Sequence, residues 1–194
     1  NYSECIENAR TRIGNYCKAC PECNGRACKN QMPGPGAKGI GDTAIRNYDK
    51  WKEIRVQMDT IVENKPVDTS LELFGKKFLY PFFAGPVGAV GLHYGDCLDD
   101  VRYNDILVSA CAKYGIAAFT GDGLDSNVMV AATKAIGKTD GIGIPTVKPW
   151  NIDTVAEKMK MVQESKAFAV AMDVDAAGLP FLKNMEPPAG SKTV

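Results

Sequence analysis

The chain has 194 residues, 45% of them hydrophobic, and its 23 lysines and arginines balance 23 aspartates and glutamates to a formal net charge of +0. That balance gives no basic footprint for nucleic acid or an anionic membrane surface, and no run approaches the ~20 apolar residues of a membrane span. The length suits one core with an extended arm, but falls short of a complete eight-unit β/α barrel, which takes roughly 250 residues.

The opening Asn1-Tyr2-Ser3-Glu4 lacks the basic start and apolar stretch of a signal peptide, so a cytoplasmic protein is expected. Seven cysteines follow, an odd number, and Cys17, Cys20, Cys23 and Cys28 crowd into twelve residues. Without an export signal, such crowding predicts reduced thiols or a metal site rather than a disulfide framework. Two-residue gaps can turn successive thiolates onto one ion, so zinc or an iron-sulfur cluster is one reading. The last gap departs from the ferredoxin spacing and no histidine assists, so a packed or redox-sensitive cysteine turn is the other.

Met32-Pro33-Gly34-Pro35-Gly36-Ala37-Lys38-Gly39 reads as an ordered turn or loop. Residues 42–62 then carry a helical period through Ile45, Tyr48, Trp51, Ile54, Arg55 and Met58. Residues 1–66 are thus expected to form an N-terminal arm, and residues 67–194 a separate region of different texture.

In that second region, short apolar runs at 78–84, 115–120, 141–147 and 167–174 alternate with helix candidates at 98–114, 126–136 and 153–166. Gly115 and Gly137 mark two helix ends, and Ser126 and Asp153 are the expected N-caps. Strand, helix, strand at this interval predicts right-handed βαβ units and a parallel sheet. A doubly wound open sheet and the N-terminal half of a parallel (β/α)8 barrel share the pattern, and loop composition favours the half barrel.

The loops leaving the strand ends, where parallel β/α proteins build their sites, are Gly85-Pro86-Val87-Gly88-Ala89-Val90-Gly91, Gly121-Asp122-Gly123, Lys148-Pro149-Trp150 and Asp175-Ala176-Ala177-Gly178. Glycines let a flat ring or a phosphate approach the backbone, and Lys148 can neutralise an anionic ligand. Asp173 and Asp175 alternate with apolar residues, so both can face the mouth of the sheet. Gly85, Gly88 and Gly91 miss the spacing of the nicotinamide fingerprint, which excludes that cofactor here. His93, the lone histidine, is expected to be solvent-facing or satisfied in the core rather than a catalytic base.

The stretch Val67-Asp68-Thr69-Ser70-Leu71-Glu72-Leu73-Phe74-Gly75-Lys76-Lys77, followed by Pro81-Phe82-Phe83-Ala84-Gly85-Pro86-Val87-Gly88, resembles the FMN-dependent α-hydroxy-acid oxidase and dehydrogenase family, which includes glycolate and lactate oxidases. Arg46-Asn47-Tyr48-Asp49-Lys50-Trp51 is similar to that family's arm helix, and the likeness covers about residues 42–182. It implies a TIM-type barrel of about four βα units whose C-terminal half lies outside this chain. It implies flavin contacts from Pro86, Val87, Gly88 and from Thr120 or Gly121. Lys148 stands where the family has a glutamine and a tyrosine, Asp173 where it has a threonine, and Asp175 matches an aspartate near the substrate. The catalytic base, substrate arginine and phosphate loops belong to the missing half.

The resemblance therefore implies an FMN-dependent oxidoreductase that converts a small 2-hydroxy acid, such as lactate, to a 2-oxo acid. This fragment alone would be inactive, completed by its own C-terminal half or a partner chain, and the protein a homo-oligomer without nucleic-acid or membrane partners. An FMN-barrel isomerase and a non-catalytic metal-binding or redox-sensing module are the alternatives.

Overall fold

A capping box opens the chain: Glu4 N–H donates to Asn1 Oδ1 at 3.1 Å while the Glu4 carboxylate reaches back, starting helix α1 (Tyr2–Arg10). The computed structural model describes residues 1–13, 17–29, 40–123 and 125–174, so the Met32 to Gly39 loop and Asp175 lie outside the described residues. Two compact units are present, one of Asn1–Asp68 with Gly91–Cys97, the other of Thr69–Val90 with the chain from Leu98 onward.

In the first unit, helix α2 spans Thr43–Trp51, less than half of the expected 42–62. Short helices gain most of their stability from burying an apolar face, and the residues beyond α2 bury none: Ile61, for example, is 98% exposed. The β-branched Val56, Ile61 and Val62 add nothing to helix propensity that would offset this.

The second unit begins with a hairpin, β1 (Leu71–Leu73) against β2 (Lys76–Phe78), with Leu71 opposite Phe78. Phe74 and Gly75, at φ 49° and 74°, make the left-handed pair of a type I′ turn. The expected strand at 78–84 is therefore divided. Phe78 closes the hairpin, Pro81 has no N–H for a ladder, and only Ala84 makes a parallel bridge, to Ala118.

After the short α3 (Val90–Tyr94) come α4 (Asp100–Lys113), β3 (Phe119–Thr120), α5 (Ser126–Lys138), β4 (Ile144–Val147), α6 (Ile152–Glu164) and β5 (Ala171–Met172). The alternation is the expected one, with shorter strands. The caps of α5 and α6 are Asp125 and Asn151, each one or two residues ahead of the expected Ser126 and Asp153. These side chains accept from Asn127 N and Thr154 N, both at 2.9 Å.

The three strands β3, β4 and β5 pair in parallel and in sequence order, and the Ala84 bridge extends that order on the β3 side. No strand reverses the order among the described residues. The register settles the faces, because Cβ directions alternate along a strand. Val147 packs with Met129, Trp150 and Val162 of the helical layer, and Ala118 with Val108, Ala135 and Ile136. The alternate positions Phe119, Ile144, Thr146 and Ala171 accordingly share the other face. Phe83 and Phe119 meet there at 6.5 Å between ring centroids, and Phe78 contacts Phe83 and Phe168 at 4.8 and 5.4 Å. Among the described residues no helix is long and apolar enough to cross a membrane.

Ile136 is fully buried between α4 and the sheet. Ile136→Ala is expected to cost ~2–5 kcal/mol in urea unfolding, the range for an unfilled core cavity. Burial also pushes the Cys111 thiol above its ordinary 9.0, a backbone hydrogen bond pulling it partly back. The folded chain then keeps a proton that the unfolded chain sheds, so this contribution is present below pH 9.0 and fades as pH rises further. Stability followed from about pH 8 to about pH 10 should fall less steeply in Cys111→Ala than in the unaltered chain.

Candidate functional site

The ends of β3 and β4 are joined by one carboxylate. Asp122 Oδ2 accepts from the Lys148 backbone N–H at 2.9 Å and from Trp150 Nε1 at 2.6 Å. Its Oδ1 accepts from Lys158 Nζ at 2.7 Å and from Gly123 N–H at 2.9 Å. The Asp122 and Lys158 side chains are 0% and 8% exposed, and the Lys158 ammonium also lies 5.5 Å from the Trp150 ring centroid. Four donors saturate the carboxylate, which is what keeps a buried charge tolerable.

Around this centre the loops interlock. A Cβ on Gly121 would stand 2.3 Å from the Val87 carbonyl oxygen, and one on Gly88 would stand 3.0 Å from that of Asp122. Glycine at 121 is thus required by the close passage of the loop after Ala84 over the end of β3. The glycines seen in the sequence fit two backbones together.

The register that places Thr146 beside Ala171 and Val147 beside Met172 carries on to bring Lys148 beside Asp173. Lys148 Nζ donates to Asp173 Oδ2 at 2.8 Å, and both side chains are half-buried on the helix-free face. The Asp173 N–H donates to the Val147 carbonyl at 2.9 Å, which fixes the strand beneath its carboxylate. Two residues down the same face, Thr146 Oγ1 is buried and without a hydrogen-bond partner.

Of the residues expected at a cofactor, Val87, Gly88, Gly121, Lys148 and Asp173 lie at these strand ends, with Pro86 exposed beside them. Thr120 is fully buried and shares the face of Ala118, and its hydroxyl also lacks a partner. The nominated Asp175 lies outside the described residues. His93 is half-buried in α3, edge-on to Tyr94 at 5.9 Å.

Of the two readings of the cysteines, the metal one requires correction. Cys17, Cys20, Cys23 and Cys28 are free thiols lining one pocket of the first unit. Yet among the described residues no group of three or more His, Cys, Asp or Glu side chains is placed to hold a metal ion, so neither zinc nor an iron-sulfur cluster is supported. The gaps bring the thiols to a common cavity without the convergence that tetrahedral coordination needs.

Asp122, Trp150, Lys158 and Thr146 were not picked out as site residues by sequence. A signal existed for Lys158, which interrupts the apolar stripe of Val155, Met159 and Val162. Lysine on a buried stripe implies a carboxylate partner. Asp122, between two glycines after a strand, was that partner.

Residues 34–184 match the family model described as FMN-dependent dehydrogenase. No curated protein matches the chain.

Asp122→Ala leaves Lys158 buried without its counter-charge, and is expected to cost ~3–5 kcal/mol in denaturant unfolding. Adding Lys158→Met should restore much of the loss, because the unpaired charge leaves with it. A single Asp122→Ala variant as stable as the unaltered chain would show that the carboxylate is dispensable.

Proposed function

Because this chain belongs to the FMN-dependent dehydrogenase family, we propose that it forms the N-terminal half of a TIM-type barrel whose strand-end loops hold FMN for the oxidation of a small 2-hydroxy acid to the 2-oxo acid. The sequential parallel strand order with helices on one face supports the barrel reading, since a doubly wound sheet reverses its order near the middle. The observation that carries the site is the Lys148–Asp173 pair on the helix-free face above the partnerless, buried Thr146 hydroxyl. A buried hydroxyl without a partner is costly unless a ligand satisfies it, so the residues present fit such a group.

FMN, when bound, supplies the two-electron acceptor that no side chain provides. The main chain of Pro86, Val87 and Gly88, together with Gly121, is assigned to the flavin, the two glycines letting these loops pack closely at the strand ends. Lys148 supplies positive charge, and Asp173 holds its ammonium in place at 2.8 Å. Asp122 fixes the backbone that carries Lys148. Thr146 donates its hydroxyl proton or accepts one from the ligand. Asp175, two residues beyond Asp173, is assigned to the substrate side of the site.

We assign the catalytic base to the remaining units of the barrel, and in this reading the chain by itself is inactive. The assembled protein is a homo-oligomer in this reading.

Full-length protein reconstituted with FMN should show the two-band visible spectrum of oxidised flavin and lose it anaerobically on addition of a 2-hydroxy acid. Lys148→Met should weaken FMN binding ~10–100-fold in a fluorescence titration, the value of one charge-assisted hydrogen bond. Protein that cannot take up FMN would refute the reading. A bound flavin that stays oxidised across a panel of 2-hydroxy acids would refute the substrate and favour an isomerase.

A further inference from the structure

The first unit holds a second cluster of chemistry that the flavin site does not use. Cys17, Cys20, Cys23 and Cys28 line one cavity of about 400 Å³, walled also by Lys18, Asn47, Tyr48 and Trp51. The chain between Cys23 and Cys28 is folded back on itself. Arg26 N–H donates to the Asn24 side-chain oxygen at 3.1 Å, Gly25 is left-handed at φ 75°, and Lys29 N–H returns to the Arg26 carbonyl.

Gly25 also locks this turn in place, because a Cβ there would lie 2.8 Å from the backbone of Ala44 and Ile45 in α2. The two flanking thiols are therefore presented from a fixed turn rather than a free loop. Their settings differ. Cys23 is exposed, whereas Cys28 is half-buried with its Sγ–H directed to the Gly25 carbonyl at 3.7 Å.

We propose that this cavity is a thiol–disulfide exchange site, in which exposed Cys23 reacts with a low-molecular-weight disulfide and Cys28 resolves the adduct to a Cys23–Cys28 disulfide. The Cys23 thiolate attacks one sulfur of the small disulfide, breaking its S–S bond and releasing one small thiol that takes up the Cys23 proton. The Cys28 thiol then gives up its proton and attacks Sγ of Cys23. That step breaks the mixed disulfide and releases the second small thiol. Two protein thiols are oxidised, one small disulfide is reduced to two thiols, and nothing else is consumed.

Order of attack follows from the two environments. Burial pushes the Cys28 thiol up from its ordinary 9.0, and the neighbouring Cys23, Cys17 and Cys20 push it further, against the pull of its own backbone hydrogen bond. Cys23 is exposed and meets the small disulfide first, whereas half-buried Cys28 acts second. Access to the cavity explains why exchange falls here and not at Cys111, which is buried in the other unit.

The test incubates the full-length protein with oxidised glutathione at mildly alkaline pH, then unfolds it, alkylates the remaining thiols and digests it with trypsin. Alkylatable thiols of this chain should fall from seven to five. Cleavage after Lys18, Arg26 and Lys29 should yield residues 19–26 joined to residues 27–29 and lighter by two hydrogens, with dithiothreitol releasing the link. Cys28→Ser should stop at a glutathione adduct on Cys23. Cys23→Ser should lose the link, while Cys5→Ser and Cys97→Ser retain it. A link that persists in Cys23→Ser, seven alkylated thiols after treatment, or zinc or iron bound to the purified protein and shielding the four cysteines would each overturn the proposal.

Discussion

Everything at the strand ends is held in register by the Asp122 carboxylate. A carboxylate inside a protein is unfavourable unless its lone pairs are filled and its charge is balanced. Here one oxygen binds the backbone of Lys148 and the indole of Trp150, and the other binds the ammonium of Lys158. Three successive pieces of chain, the loop after β3, the loop after β4 and the middle of α6, are tied to one residue. Trp150, one of these donors, also packs with Met129, Val147 and Val162. Loss of Lys158 would leave the carboxylate buried without its counter-charge, so the arrangement has little tolerance for partial assembly.

That rigidity matters because the candidate ligand groups stand on it. Lys148 carries two constraints at once, its N–H on Asp122 and its ammonium on Asp173. The first fixes the position of the side chain and the second its direction. Thr146 lies on the same face with an unfilled hydroxyl.

The first unit follows a different logic. Its elements are short, its apolar residues beyond α2 are exposed, and its defined chemistry is sulfur on a turn fixed by Gly25. Asn1 starts α1 through a capping box, and Tyr2 Oη donates to the Pro21 carbonyl at 2.7 Å, which ties that helix to the cysteine segment. Tight spacing of cysteines in a sequence is compatible with a metal centre or with exchange chemistry. Spacing sets only how close the α-carbons can come, whereas coordination depends on where the sulfurs point.

Sequence by itself determined the alternation of helices and short strands in the second region, the parallel character of the sheet and the positions of Lys148 and Asp173 on a strand end, because these follow from local periodicity and from the two-residue repeat of a strand. Family likeness rested on the same contiguous segments, the stretch from Val67 to Gly88 above all. Tertiary structure alone decided how long each element is. The helix expected over 42–62 stops at Trp51 for want of a surface to bury its apolar face, and the strand expected over 78–84 splits because Phe78 pairs with Leu71. It alone decided the partners of Asp122, whose donors lie 26, 28 and 36 residues away along the chain. No local pattern encodes contacts at such separations; they exist only once the sheet has brought the strand ends together.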